Sequence, residues 1–75
     1  MQKQTVTING VYIQIDSLLK LSEIVSSGGE AHSLVAAGKV KINNKLISEK
    51  RKKVYAGDIV IVDNSYSILV KINED

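Results

Sequence analysis

The residues most able to bind a ligand are cations gathered in one short stretch, residues 39–53, here called the basic segment. It has one anion, Glu49, and seven cations, for a net charge of +6: Lys39, Lys41, Lys45, Lys50, Arg51, Lys52 and Lys53. The rest of the chain carries three cations and seven anions, a net charge of −4. Such clustering suits the phosphates of a nucleic-acid backbone, because their neutralisation releases condensed counterions. The alternative is a solvated loop whose lysines only oppose aggregation.

A second candidate site is the glycine-containing stretch Ser26–Ala31. Gly28 and Gly29 lead into a predicted helix, where exposed backbone N–H groups can hold a phosphate without a cationic side chain. Ser26 or Ser27 could add a hydroxyl donor. The alternative is a flexible turn in which serine caps the helix. The stretch is not a Walker loop, because the Lys and Ser/Thr that must follow the final glycine are absent.

The other polar residues give little support for catalysis. His32 could stack on a base or donate to a phosphate, although a lone exposed helical histidine more often has no specific role. Asp16 and Asp58 fit a helix cap and a turn better than a catalytic pair. The sequence shows no nucleophile beside a plausible base and no metal-ligand cluster. We therefore expect no enzymatic activity, no metal and no cofactor.

Length and composition limit the class of protein. Seventy-five residues allow one compact domain, residues 1–75, and the absence of Cys, Phe and Trp requires an aliphatic core. Without Cys, a disulfide framework and a Cys-based zinc site are excluded. The three tyrosines, Tyr12, Tyr55 and Tyr66, are too few and too scattered for a base-stacking platform, which argues against binding of single-stranded RNA.

The hydropathy pattern argues against export and membrane insertion. Residues 1–4 lack the pattern of a signal peptide, and no unbroken apolar run is longer than the four residues of Ile59–Val62. Together with the absence of Cys, this favours a reducing cytosol and hence a cytoplasmic location. The expected partners do not include a membrane or a small-molecule substrate, and we expect a monomer.

Local patterns predict an α+β fold in which two short helices pack on a small antiparallel sheet. Asn9-Gly10 between Thr5–Ile8 and Val11–Gln14 predicts an N-terminal β-hairpin, since both positions of a type I′ turn need positive φ. Asp16-Ser17 is the predicted N-cap of a first helix. Its inward positions follow a three-to-four spacing: Leu18, Leu21 and Val25.

The second helix should begin near Gly29-Glu30 and end at Gly38, a typical residue for the left-handed C′ position. Its predicted inward residues are Ala31, Leu34 and Val35. Beyond Gly38 the period becomes two, which predicts further strands. They comprise a strand with Val40 and Ile42 inward, a turn at Asn43-Asn44, a return strand at Leu46-Ile47, the strand Ile59–Val62 after a turn at Ala56-Gly57-Asp58, and a last strand with Ile68, Val70 and Ile72 inward.

The order of these motifs resembles the S4 (S-four) RNA-binding domain, a family named for a small-subunit ribosomal protein and also found in pseudouridine synthases and some tRNA synthetases. The matching stretches lie between Ile15 and Val62: Asp16 with Leu18-Leu19, then Ser27–Ala31, Gly38–Asn44 and Val54–Val60. Because little else remains of the chain, it most resembles the small stand-alone bacterial YaaA-like (YbcJ-like) members.

The resemblance implies that two helices and a following β-loop form a surface that docks on double-helical or junction RNA through its phosphates. Together with the charge pattern it implies these RNA-binding residues: Ser27, Gly28, Gly29, His32, Lys39, Lys41, Lys45, Lys50, Arg51, Lys52 and Lys53. The implied partner is structured RNA, ribosomal RNA or tRNA, in a ribosome-associated role. We expect the cations to converge beside the opening turn of the second helix as one positive surface.

Two positions depart from the family pattern. Many members carry Arg where this chain has Gly28, so a guanidinium contact is missing, for which the N–H groups of Gly28 and Gly29 could substitute. Asn44 stands where Gly is common, and Asn tolerates positive φ better than most residues.

Three other classes of protein compete with RNA binding. The basic segment could bind an acidic protein, which would make the chain an interaction adaptor. A ubiquitin-like sulfur carrier is also small and α+β, but it needs a Gly-Gly tail, and this sequence ends Asn73-Glu74-Asp75. A small enzyme is disfavoured by the missing catalytic constellation.

Overall fold

A computed structural model describes residues 1–73, so Glu74 and Asp75, on which the argument against a sulfur carrier depends, lie outside it. The predicted α+β class is confirmed. Two helices and seven strands follow in the order β1 (Gln2–Ile8), β2 (Tyr12–Gln14), α1 (Ile15–Leu21), α2 (Gly28–Ala36), β3 (Val40–Ile42), β4 (Lys45–Leu46), β5 (Lys53–Tyr55), β6 (Ile59–Val62) and β7 (Tyr66–Ile72).

The strands form two sheets. Five strands make one sheet in the order β1-β7-β6-β3-β4, while β2 and β5 form a separate antiparallel pair. The large sheet is mixed, because β1 runs parallel to β7 and the other neighbours are antiparallel. The sequence pattern predicts an antiparallel sheet, and the parallel β1–β7 pair departs from that prediction.

The predicted N-terminal hairpin is wrong. Instead of pairing with each other, β1 pairs with β7 and β2 pairs with β5. Gly10 does not take the positive φ that a type I′ turn at Asn9-Gly10 requires. Distant pairing buries Val6 and Ile8 in the core, and burial of apolar side chains outweighs the local turn preference.

The two helices cover one face of the large sheet, here called the inner face. That face carries Val40, Val60 and Val70, and it shares one hydrophobic core with the helical residues. The helices contribute Ile15, Leu18, Leu19, Ala31 and Val35, all between 0% and 2% exposed. The opposite, outer face of the sheet has no helix packed on it among residues 1–73, and it carries Lys41, Ile61 and Leu69.

The helix boundaries differ from the predictions, chiefly at α1, which ends at Leu21 and leaves the predicted helical position Val25 beyond it. Asp16 is not its N-cap: the cap is Gln14, without a side-chain hydrogen bond, and Asp16 lies inside the first turn. Leu21 is 58% exposed rather than inward. Helix α2 begins one residue earlier than predicted, at Gly28, and Gly38 follows it with φ of +72°. Glycine takes this left-handed conformation without steric cost.

The turn between β3 and β4 is made by two asparagines, as predicted. Asn43 and Asn44 have φ of 52° and 68°, which asparagine tolerates better than most residues. The Asn43 amide also joins this turn to the next one, since it donates to Asp58 at 3.0 Å and accepts from the Ile59 N–H at 3.0 Å. This contact fixes the start of β6 against the end of β3.

Candidate nucleic-acid interface

The four residues Lys50, Arg51, Lys52 and Lys53, here called the basic loop, are held against the start of α1. The Lys52 carbonyl accepts a hydrogen bond from the Ile15 N–H at 2.8 Å, and Lys53 pairs with Gln14 in the small sheet. The backbone is thus fixed at the end of the loop. The side chains of Lys50 and Arg51 remain exposed, so they are available to a ligand.

A buried carboxylate connects the basic loop to α2. Asp16 is 9% exposed, and its Oδ2 lies 3.3 Å from His32 Nε2 and 4.0 Å from Arg51 Nε. Its Oδ1 accepts a hydrogen bond from the Ser17 N–H at 2.9 Å. Because Asp16 contacts both neighbours, His32 on α2 and Arg51 on the basic loop lie side by side. The Arg51 side chain is 71% exposed, so most of its guanidinium faces solvent.

The N-terminus of α2 is capped by its own residues. Ser27 Oγ accepts a hydrogen bond from the Glu30 N–H at 3.2 Å, and Ser26 donates to the Glu30 carboxylate. The N–H groups of the first helical residues, Gly28 and Gly29, have no partner within a helix by geometry. The predicted capping role of serine is therefore present beside an N-terminus that can still accept an anion.

Gly28 has open space in the direction of a side chain. A Cβ built there meets no heavy atom within 4 Å, and the residue has no positive φ. Neither steric crowding nor backbone conformation requires glycine at this position. An arginine side chain would fit there.

One further lysine of the basic segment, Lys45, lies on the same side of the molecule as the basic loop. Lys45 and Lys52 line one surface depression together with Ile47 and Glu49. Lys52 Nζ is 3.7 Å from Glu49 Oε1, an exposed ion pair that contributes little to stability. Lys45 therefore extends the positive surface of the basic loop along the edge strand β4.

Lys39 and Lys41 do not join this surface, which corrects the expectation that all the cations converge. Lys39 follows the C-terminal end of α2, far from Gly28, and its Nζ lies 3.3 Å from Asp63 Oδ1. Lys41 pairs with Ile61 and Leu46 on the outer face of the sheet, whereas the helices cover the inner face. Strand alternation causes this: Val40 and Ile42 are buried, so Lys41 between them must point away from the helices.

Two tyrosines that are distant in sequence lie together beside the basic loop. Tyr12 and Tyr55 are directly opposite in the β2–β5 pair, with ring centroids 5.9 Å apart. Lys53 Nζ lies 4.8 Å from the Tyr12 ring centroid. The prediction that the tyrosines are scattered is wrong for this pair, because it did not foresee the long-range pairing of β2 with β5.

No helix within residues 1–73 is long and apolar enough to cross a bilayer. The same residues hold no group of three or more His, Cys, Asp or Glu placed to bind a metal.

With this geometry in view, comparison with known proteins assigns the family. Residues 6–71 match the S4 domain, so the chain belongs to the S4 domain family and the resemblance found in the sequence is confirmed. It is 28% identical over 65 residues to the probable ribosome maturation protein RlbA of Bacillus subtilis, a match that covers 87% of this chain and 92% of that protein. It is 40% identical over 57 residues to the tyrosine–tRNA ligase of Burkholderia thailandensis. That match covers 76% of this chain but only 14% of the ligase.

Proposed function

We propose that this chain is a non-catalytic protein that binds structured RNA, ribosomal RNA or tRNA, through the phosphate backbone in a ribosome-associated role in the cytoplasm. Membership of the S4 domain family supports RNA binding. One relative is named as a probable ribosome maturation protein and the other as a tRNA ligase, which supports a role in translation. The relative of similar size is the one named for ribosome maturation.

The observation that carries the proposal is the contact of Asp16 with both His32 and Arg51. Through it, the N-terminal half of α2 and the basic loop form one surface rather than two separate features. This surface, here called the docking surface, comprises Ser27, Gly28, Gly29, His32, Lys45, Lys50, Arg51, Lys52 and Lys53. A phosphate held at the start of α2 and others held by the loop would belong to the same RNA backbone.

We expect recognition of shape and backbone rather than base sequence. A-form RNA has a deep, narrow major groove that side chains cannot read, so a flat positive surface contacts phosphates and 2′-hydroxyls instead. Exposed lysines and arginine suit this role. Lys39 and Lys41 point elsewhere and would act mainly through long-range attraction.

The first prediction concerns salt. If the five cations of the docking surface neutralise about five phosphates, log K for an RNA hairpin should fall with log salt at a slope of roughly −3 to −5. Fluorescence anisotropy with a labelled hairpin between about 50 and 300 mM KCl measures this slope. A slope near zero would contradict phosphate binding.

The second prediction is a gain of affinity. Gly28→Arg places a guanidinium in open space at the first residue of α2, where one more phosphate contact should tighten RNA binding roughly fivefold at about 0.15 M salt. Gly28→Ala is the matched control, since it removes the same glycine but adds no charge. Both variants should be as stable as the original chain or more stable by up to ~1 kcal/mol. Equal affinity of the two variants for RNA would mean that the start of α2 is not part of the docking surface.

The adaptor alternative predicts a different competition result. A site shaped for the carboxylates of an acidic protein should ignore RNA of mixed sequence and bind an acidic polypeptide instead. We expect the hairpin to compete for the chain at far lower concentration than poly-glutamate. The reverse order would favour the adaptor.

A further inference from the structure

The outer side of the two-stranded sheet carries an exposed aromatic pair. Strand alternation places Ile13 and Val54 toward the core, so Tyr12 and Tyr55 project from the other side. They are 43% and 45% exposed, and their ring planes are inclined by 51°. Val54, which is fully buried, packs against the core from the inner side of this strand pair. The fold therefore does not need two half-exposed aromatic rings on the other side.

A cation completes this cluster and connects it to the docking surface. Lys53 sits 4.8 Å from the Tyr12 ring centroid, within the range of a cation–π contact. It is also the last residue of the basic loop. The Lys52 carbonyl anchors that loop to Ile15, the first residue of α1. Arg51 contacts Asp16, the second residue of the same helix. The tyrosines therefore lie at one end of the docking surface, separated from its cations by no other element.

We propose that Tyr12 and Tyr55 form a stacking site for an unpaired base of the RNA whose double-helical part lies on the docking surface. Aromatic side chains stack on any base, and a neighbouring lysine holds the phosphate of the same nucleotide. A base inside a duplex is not accessible to such a site, so the inference specifies the RNA class: a duplex with an adjacent single-stranded nucleotide. The inference rests on the proposed function and deepens it.

The charge around the tyrosines favours RNA over a protein partner. The Asp58 carboxylate beside Tyr55 is already engaged, since it accepts hydrogen bonds from the Tyr55 N–H at 2.8 Å and from the Asn43 amide at 3.0 Å. The Lys53 ammonium lies over the Tyr12 ring, and the loop residues before it add Lys52 and Arg51. An apolar protein surface would have to desolvate these cations without neutralising them, which is costly. A nucleotide supplies a flat apolar ring and an anion at the same time.

The test compares two RNAs that differ only in an unpaired end. One is a blunt hairpin and the other is the same hairpin with a two-nucleotide 3′ overhang that carries 2-aminopurine, whose fluorescence falls when it stacks. We expect the original chain to bind the overhang RNA about tenfold more tightly, in line with stacking energies for one base, and to quench the 2-aminopurine. Equal affinity for the two RNAs without quenching would overturn the inference and leave the proposed function standing. Binding to neither RNA would overturn both.

Two double variants separate stacking from other effects. Tyr12→Leu with Tyr55→Leu should bind the blunt hairpin as the original chain does, within about twofold, and should lose the preference for the overhang and the quenching. Tyr12→Phe with Tyr55→Phe keeps both rings and should keep both effects. Circular dichroism checks that each variant is folded, and the quenching by the original chain provides a readout that needs no variant. Retention of the preference by the leucine variant would overturn the inference.

Discussion

Replacing Lys50, Lys52 and Lys53 together by Glu is expected to lower the affinity for structured RNA roughly a hundredfold at about 0.15 M salt. Each lost phosphate contact costs a factor of about five under these conditions, and three contacts multiply. Repulsion between the three new carboxylates and the RNA phosphates lowers the affinity further. The slope of log K against log salt should become less negative by about 2 to 3.

The fold should survive this change. Lys50 and Lys53 are exposed, and Lys52 is half-buried at most. The hydrogen bond that anchors the loop comes from the backbone carbonyl of Lys52, which a new side chain does not remove. The contact of Arg51 with Asp16 also stays in place.

A variant with the same net charge provides the control. Lys3→Glu, Lys20→Glu and Lys71→Glu reverse three cations that lie outside the basic segment. Lys3 and Lys71 lie on strands β1 and β7, and Lys20 is in the last turn of α1. We expect this variant to lose only a few-fold in affinity, through the weaker long-range field. If both variants lose affinity equally, binding depends on total charge and no docking surface exists.

The largest expected effect on stability is that of Leu18→Ala. Leu18 is fully buried at the centre of α1, and leucine-to-alanine changes at such sites cost about 2 to 5 kcal/mol in the free energy of unfolding. The total free energy of unfolding of a domain of this length is roughly 4 to 11 kcal/mol. The substitution should therefore remove a large part of the stability and shift the urea midpoint, followed by circular dichroism, to a much lower concentration.

Leu21→Ala on the same helix is the matched control. Its side chain is 58% exposed, and alanine favours helix as well as leucine does. We expect a change of less than about 0.5 kcal/mol. A loss at Leu21 equal to that at Leu18 would mean that α1 buries a different face from the one the structure shows.

Features that depend on neighbours in sequence were predictable, and those that depend on distant pairing were not. Ser27 as a cap, Gly38 after the second helix and the Asn43-Asn44 turn are each decided by local backbone conformation, and each is present. At Asn9-Gly10 a local turn signal of equal strength failed. The strands on either side of it gain more stability from pairing with distant strands than with each other, and no local sequence pattern predicts that pairing.

The candidate site follows the same division. The charge pattern predicted the basic loop, and the glycine-containing stretch before a predicted helix predicted the start of α2; the binding role of both stays a prediction. The alternation of Val40, Lys41 and Ile42 already implied that Lys41 points away from a buried face, although the expectation of convergence did not use it. The role of Asp16 was hidden because its partners His32 and Arg51 are 16 and 35 positions away in the sequence.

The parallel pairing of β1 with β7 has a consequence for the order of folding. These are the first and last strands of the domain in chain order, so their pairing closes a loop that contains every other element. Val6 and Ile8 thus stay uncovered until this loop closes, at a larger cost in chain entropy than local contacts require. We expect β1 to join the sheet late in folding.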